Sequence, residues 1–290
     1  MKNIKWILLL VLSLTWGSSF ILIKKALTGL SPLEIGALRI IFAGVILFFI
    51  GFKKLKHIEK KYWKPLFIVA VFGTFFPAFL FSFAITEIDS SIAAVLNSLT
   101  PLITMILGIL FFKFSFSNKQ VLGIFIGLFG TLILLYNSAL ENPTKNYFYA
   151  FLILIASTGY AFSVNYIKRK FKDLDAVSIT ASTFIMLVPF AFVVLCFSDF
   201  FDKDFSEKVN YTSLGYVFVL AAVGTSMAML LFNKLIQISS TLFSASVSYL
   251  ITLVAVTWGV LDGEKLTLIQ CMAAVLIIWG VVIAQKKASV

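Results

Sequence analysis

The chain has 290 residues, 60% of them hydrophobic and 13% charged, with a formal net charge of +11. A water-soluble domain is nearer half apolar and a quarter charged, so this composition, with a mean hydropathy of +1.02, excludes a soluble globular protein and points to an all-α polytopic membrane protein. The basic excess does not make nucleic acid a partner: the cations sit in short segments between apolar runs and form no stripe on a soluble face.

A helix that crosses a bilayer needs about 20 mostly apolar residues. Ten such spans are expected, at approximately 4–23, 32–52, 64–86, 90–112, 118–136, 147–167, 176–197, 211–233, 240–261 and 266–284. The first begins like a signal peptide, with Lys2 and Lys5 ahead of an apolar stretch. Gly17 and Ser19 make a poor cleavage site, and the apolar run continues to Ile23, so it reads as a retained span. Pro32 opens the second, where a missing N–H costs little. The longest connection, "SDFFDKDFSEKVN" at 198–210, is too small to be a domain. Cys196 and Cys271 lie in separate apolar runs and form no CxxC, metal spacing or disulfide framework.

With a cytoplasmic N-terminus, 17 of the 24 lysines and arginines fall in cytoplasmic segments and 6 in external ones, Arg39 being within a span. That bias predicts a multi-pass protein of the inner (plasma) membrane with both termini cytoplasmic. The chain also repeats. Residues 90–134 lie on 240–284 at an offset of 150, matching Ser98 with Ser248, Gln120 with Gln270 and Gly130 with Gly280. At an offset of 144 the first two spans fall on the sixth and seventh, so that Trp16 meets Tyr160, Ser19 meets Ser163 and Lys24 meets Lys168. Two repeats follow, 1–137 and 147–287. Five spans is an odd number, so the second enters the membrane from the opposite side. Inverted repeats of this kind build transporters with a binding site near mid-membrane between the halves.

"TWGSSFILIKKAL" and "SPLEIGALRIIFAGVILF" in the first two spans, "SSIAAVLNSLTPLITMILGILFF" in the fourth, and "LDGEKLTLIQ" between the ninth and tenth carry a family resemblance. Along nearly its whole length the chain resembles the EamA family of the drug/metabolite transporter superfamily. The resemblance implies ten helices in two inverted halves and export of small metabolites, often amino acids. It also implies a central cavity bounded mainly by helices 1, 3, 4, 6, 8 and 9. Two positions depart between the halves: Glu264 has Phe114 as its counterpart, and Arg39 has Thr183.

No nucleophile–base pair, metal spacing or phosphate loop is present, so neither an enzyme nor a bound metal or cofactor is expected. Gly123, Gly127 and Gly130 are small-xxx-small positions for close helix packing. The substrate-binding candidates are polar or aromatic groups on spans: Trp16, Ser19, Thr74, Asn97, Thr100, Tyr160, Ser163, Ser248 and Tyr249. Ala93, Asn97, Thr100 and Thr104 share one helical face, and Pro101 beside them withdraws a hydrogen bond and can expose a carbonyl. Trp16 stands about 18 Å into its span, too deep for an interfacial belt. Arg39, Pro77 and Pro101 are gate or structural candidates. For Arg39, about 10 Å past Pro32, two readings stay open: an anchor or carbonyl clamp, and a gate or anion-attracting group. No Asp or Glu lies deep in a span, which disfavours proton exchange for cationic drugs and favours a neutral, zwitterionic or anionic metabolite. The reading is an exporter of small metabolites, amino acids or relatives first, working in the bilayer as a monomer or homodimer by alternating access. The alternatives are a lipid-linked or nucleotide-sugar carrier and a non-transporting scaffold or sensor.

Overall fold

Backbone N–H and C=O groups have no water to bond within a bilayer, so an apolar chain satisfies them internally as helix. The computed structural model is helical throughout its ordered elements. It describes residues 2–115, 117–141, 146–263 and 267–284. Glu264 lies outside these, as do Lys145, Lys265, Lys286 and Lys287 of the loop charges and residues 1 and 285–287 at the ends of the expected repeats.

The helices, in order, are α1 (Lys2–Ala26), α2 (Pro32–Leu55), α3 (Lys60–Ala70), α4 (Phe76–Glu87), α5 (Ser90–Asn97), α6 (Thr100–Phe112), α7 (Asn118–Glu141), α8 (Ala150–Lys170), α9 (Ala176–Cys196), α10 (Lys208–Ala221), α11 (Ala228–Ile238), α12 (Thr241–Ala245), α13 (Val247–Leu261) and α14 (Leu268–Ala284). A π-helical segment, Val71–Phe75, joins α3 to α4, and another, Ala222–Met227, joins α10 to α11. Among the described residues, eight continuous or near-continuous units are long and apolar enough to cross a membrane. They are α1, α2, α3 through α4, α5 through α6, α8, α9, α10 through α11, and α12 through α13. To these α7 adds a shorter apolar stretch, Asn118–Ile133, and α14 has 17 residues.

Local chemistry sets the ends. Ser31 and Glu34 form a reciprocal capping box at the start of α2: Ser31 N–H donates to Glu34 Oε2 at 2.7 Å, and Glu34 N–H to Ser31 Oγ at 3.4 Å. Asp175 caps α9 by accepting from the N–H groups of Val177 (2.9 Å) and Ser178 (3.0 Å). Lys113 stops α6 in a left-handed conformation, φ 54°.

Packing pairs distant helices. α1 lies on α13, α2 on α9, α8 on α4, α5 and α6, and α7 on α14. The α7–α14 approach is closest at Gly280, where an added Cβ would stand 2.7 Å from Gly123 O and 2.9 Å from Gly127 Cα. Only glycines allow such contact between backbones, the arrangement expected of Gly123 and Gly127 from their spacing.

Candidate functional site

Four of the crossing units are interrupted within their length, two beside a proline and two where side-chain hydroxyls bond the backbone. In α3–α4, Pro77 has no N–H to give the Gly73 carbonyl, and the ladder accommodates this with one π turn, in which Phe76 N–H reaches Val71 O. In α10–α11 no proline is present. There the hydroxyls of Thr225 and Ser226 donate to the carbonyls five residues back, Leu220 O (3.0 Å) and Ala221 O (2.9 Å). Between α5 and α6, Pro101 cannot bond Asn97 O. That carbonyl is not left open, as the sequence suggested: Thr100 Oγ1 donates to it at 2.6 Å. Between α12 and α13, Ser246 Oγ donates to Phe243 O (2.8 Å) and Ser248 Oγ to Ala245 O (3.0 Å).

These interruptions surround one cavity of about 100 Å³. Of the candidates named from sequence, Trp16, Ser19, Arg39, Thr74, Asn97, Thr100, Tyr160, Ser163 and Ser248 line it. Pro77, Pro101 and Tyr249 stand outside the lining. Pro77 packs by Gly159, and the Tyr249 ring lies against Gly127 of α7 among Val95, Ala273 and Ile277. A helix turns 100° per residue, so Tyr249 leaves the face that Ser248 presents.

Trp16 Nε1 donates to Gly224 O at 2.8 Å, in the π segment of α10–α11. Its ring meets Phe232 edge-on, centroids 4.8 Å apart. Tyr160 stacks on Phe81 at 5.8 Å and 24°. Each glycine of the two π segments closes on a serine of another helix: a Cβ at Gly224 would fall 2.7 Å from Ser19 Oγ, and one at Gly73 would collide with Ser163 Oγ. Asn97 Oδ1 accepts from Ser157 Oγ at 3.3 Å. Arg39 Nε donates to Thr225 Oγ1 at 2.7 Å. Its neighbour on α2, Glu34, turns away into the capping box and toward Lys203, 3.5 Å distant. Ser163 Oγ and Asn233 Oδ1, both in the lining, are buried without a hydrogen-bond partner.

Thr225, Asn233, Phe81 and Phe232 were not named from sequence. The dipeptide Gly-Thr at 73–74 and again at 224–225 would have found Thr225.

Polar clasps lie at the helix ends. Asp262, after α13, is paired with Lys24 (2.7 Å) and with Lys25. Hydrogen bonds from these two lysines hold its carboxyl below the usual range. At the ends of α8, Lys168 Nζ donates to the carbonyls of Ile236 (2.9 Å), Gln237 (3.1 Å) and Ser239 (2.7 Å), and Arg169 donates to Phe112 O. The following loop is tied by Tyr62 Oη to Asp173 (3.0 Å), by Gln237 Nε2 to Leu174 O (2.7 Å) and by Lys54 to Asp175 (2.9 Å). Burial raises the Asp175 carboxyl, but hydrogen bonds from Lys54 and Ser178 outweigh it and the net direction is down.

Interrupted apolar helices closing on a small, mostly apolar cavity belong to a multi-pass membrane protein, and the arrangement is one that transporters use. The chain matches the EamA-like transporter family over residues 4–136 and 147–285, and it belongs to that family. It is 29% identical over 284 residues to the "Uncharacterized inner membrane transporter YedA" of Escherichia coli K12, covering 95% of this chain and 88% of that one. It is 25% identical over 289 residues to a "Probable amino-acid metabolite efflux pump" of the same organism, covering 96% and 93%. An "Uncharacterized transporter in trpA 3'region" of Buchnera aphidicola is 25% identical over 182 residues, and that match spans 60% of its length. A crystal structure covering 96% of this chain and 95% of its own shares the fold, with a TM-score of 0.69 at 17% identity. The family and the names of these relatives point to transport rather than catalysis.

Proposed function

We propose that this protein is a secondary transporter of the inner (plasma) membrane that exports small metabolites, amino acids or related compounds first. It does so by alternating access through the central cavity. In this reading ten spans form two inverted repeats, 1–137 and 147–287, with both termini cytoplasmic. The bilayer and the small-molecule substrate are its partners, and the working unit is a monomer or homodimer.

One observation carries the reading. The cavity wall is made of groups that correspond between the halves, Trp16 and Ser19 with Tyr160 and Ser163 at an offset of 144, and Gly73 and Phe81 with Gly224 and Phe232 at an offset of 151. Trp16 on Phe232 answers Tyr160 on Phe81, and Ser19 against Gly224 answers Ser163 against Gly73. The helix pairings respect the same correspondence, α1 with α13 and α8 with α5 and α6. A wall built twice from matching parts suits a site that must be presented to each side in turn. The name of the efflux-pump relative supports the substrate class.

The test is metabolite profiling of medium from cells over-producing the protein, beside cells making Asn97→Ala or Trp16→Ala at equal level. Compounds enriched by the intact chain and lost with either variant, both still folded, are expected. Normal enrichment with both variants would refute the assignment of the site. An intact chain indistinguishable from empty vector would refute export.

A further inference from the structure

The cavity contains a single formal charge. Among the described residues lining it, Arg39 alone is ionised at neutral pH. The rest of the wall is mostly aromatic and aliphatic, Trp16, Tyr160, Phe20, Phe81, Phe184 and Phe232 being its largest side chains, with neutral polar groups between them. A guanidinium in such surroundings is costly unless its donors are met.

One donor is met, and in a way that fixes the rest. Arg39 Nε donates to Thr225 Oγ1 at 2.7 Å, while the Thr225 hydroxyl gives its own proton to Leu220 O at 3.0 Å. Thr225 is thereby an acceptor only toward Arg39, and the plane of the guanidinium is set. Five N–H groups belong to a guanidinium. The four on Nη1 and Nη2 remain, and no carboxylate among the described residues pairs with them. An oriented fork with no internal anion is complementary to a planar, bidentate anion.

From this we infer that Arg39 is the specificity-determining residue of the cavity, and that its ligand is a small monocarboxylate with an apolar or aromatic body. One cation matches one negative charge. A phosphate ester carrying two would leave the second unpaired in the apolar wall. A zwitterionic acid is within the class: Ser163 Oγ and Asn233 Oδ1 are unpartnered acceptors buried in the wall, and a rotation of either side chain toward the cavity would let it take an ammonium. The inference rests on the transporter reading for its purpose, but its test is one of binding.

The test uses the purified full chain in detergent, with thermal stabilisation as the measure of affinity. Two matched pairs are titrated: 3-phenylpropionate with 3-phenylpropionamide, and phenylalanine with phenylalaninamide. At least one acid is expected to bind about tenfold or more tighter than its amide, the weight of one charge-assisted hydrogen bond. Arg39→Gln should bring acid and amide within about twofold of each other by the same reasoning. Arg39→Lys keeps the charge without the fork, so it should retain the preference in weakened form. Equal binding of acid and amide by the intact chain overturns the inference, as does acid preference surviving in Arg39→Gln. Failure of both acids to bind overturns it too. Should Arg39→Gln not fold, the acid–amide ratio of the intact chain and of Arg39→Lys decides. Acid binding without export from cells would refute the transporter reading and leave this inference standing.

Discussion

Replacing Gly280 by alanine adds one methyl group where α14 crosses α7. That Cβ would stand 2.5 Å from Gly127 N, 2.7 Å from Gly123 O and 2.9 Å from Gly127 Cα. All three are backbone atoms, so no rotamer can yield, and ordinary contact begins at 3.4 Å. The helices must separate by several tenths of an ångström along their closest stretch. Overpacking of this kind costs about 1–3 kcal/mol, against which alanine returns about 0.5–1 kcal/mol in helix propensity. With three backbone atoms inside 3.0 Å the cost falls in the upper part of that range, about 2–3 kcal/mol, so the net loss is about 1–2.5 kcal/mol, and at roughly 2–4 °C per kcal/mol the melting temperature should fall by about 2–10 °C. The assay is thermal melting of the purified protein in detergent, with Gly215→Ala as its companion. Gly215, on α10, has no atom within 4 Å of its Cβ position, so that change should be neutral or slightly stabilising. Equal melting of Gly280→Ala and the parent would refute the close packing, and so would an equal fall in Gly215→Ala.

Asp262→Asn should lower the melting temperature at neutral pH by removing the clasp to Lys24 and Lys25. Because the carboxyl titrates below its unfolded value, the clasp contributes fully above the ordinary carboxylate range and is lost as pH falls through its depressed folded pKa. Melting curves of parent and variant should therefore converge only in strong acid; a gap that closed between pH 6 and 5 would contradict the assignment. Lys168→Met should remove the donor to three carbonyls at the end of α11 and cost about 1–2 kcal/mol, read by the same melting assay. A melting temperature unchanged by Lys168→Met would show that those carbonyls are met in another way.

Much of the architecture is legible because apolar length is its cause. The ends of α2 and α9 follow from Pro32 and the first polar residues before each run, and the glycines of α7 announce a close neighbour without naming α14. Much of the cavity wall is legible as well, since Trp16, Asn97 and Ser163 are conspicuous against hydrocarbon. What escaped depends on rotation and register. Tyr249 is one residue from Ser248, and that single step carries it to α7. Phe81 and Phe232 cannot be told from other phenylalanines by type, since lipid-facing and cavity-facing rings read alike. Arg39 found its partner, Thr225, 186 residues away, a pairing that no helical period encodes. The carbonyl freed by Pro101 is bonded by the hydroxyl preceding it, because a threonine there can close on the backbone more cheaply than a carbonyl can stay bare.

The two π segments differ in whether their defect can be erased. At Val71–Phe75 the cause is covalent: Pro77 lacks a proton on nitrogen, so no rearrangement of the ladder restores the missing bond. At Ala222–Met227 the cause is two hydroxyl bonds, from Thr225 and Ser226, which a change of side-chain rotamer can undo. One interruption is therefore permanent and the other reversible. A ligand held on the Arg39 fork stands one hydrogen bond from Thr225, so the cavity and the reversible interruption of α10–α11 share a common hydroxyl.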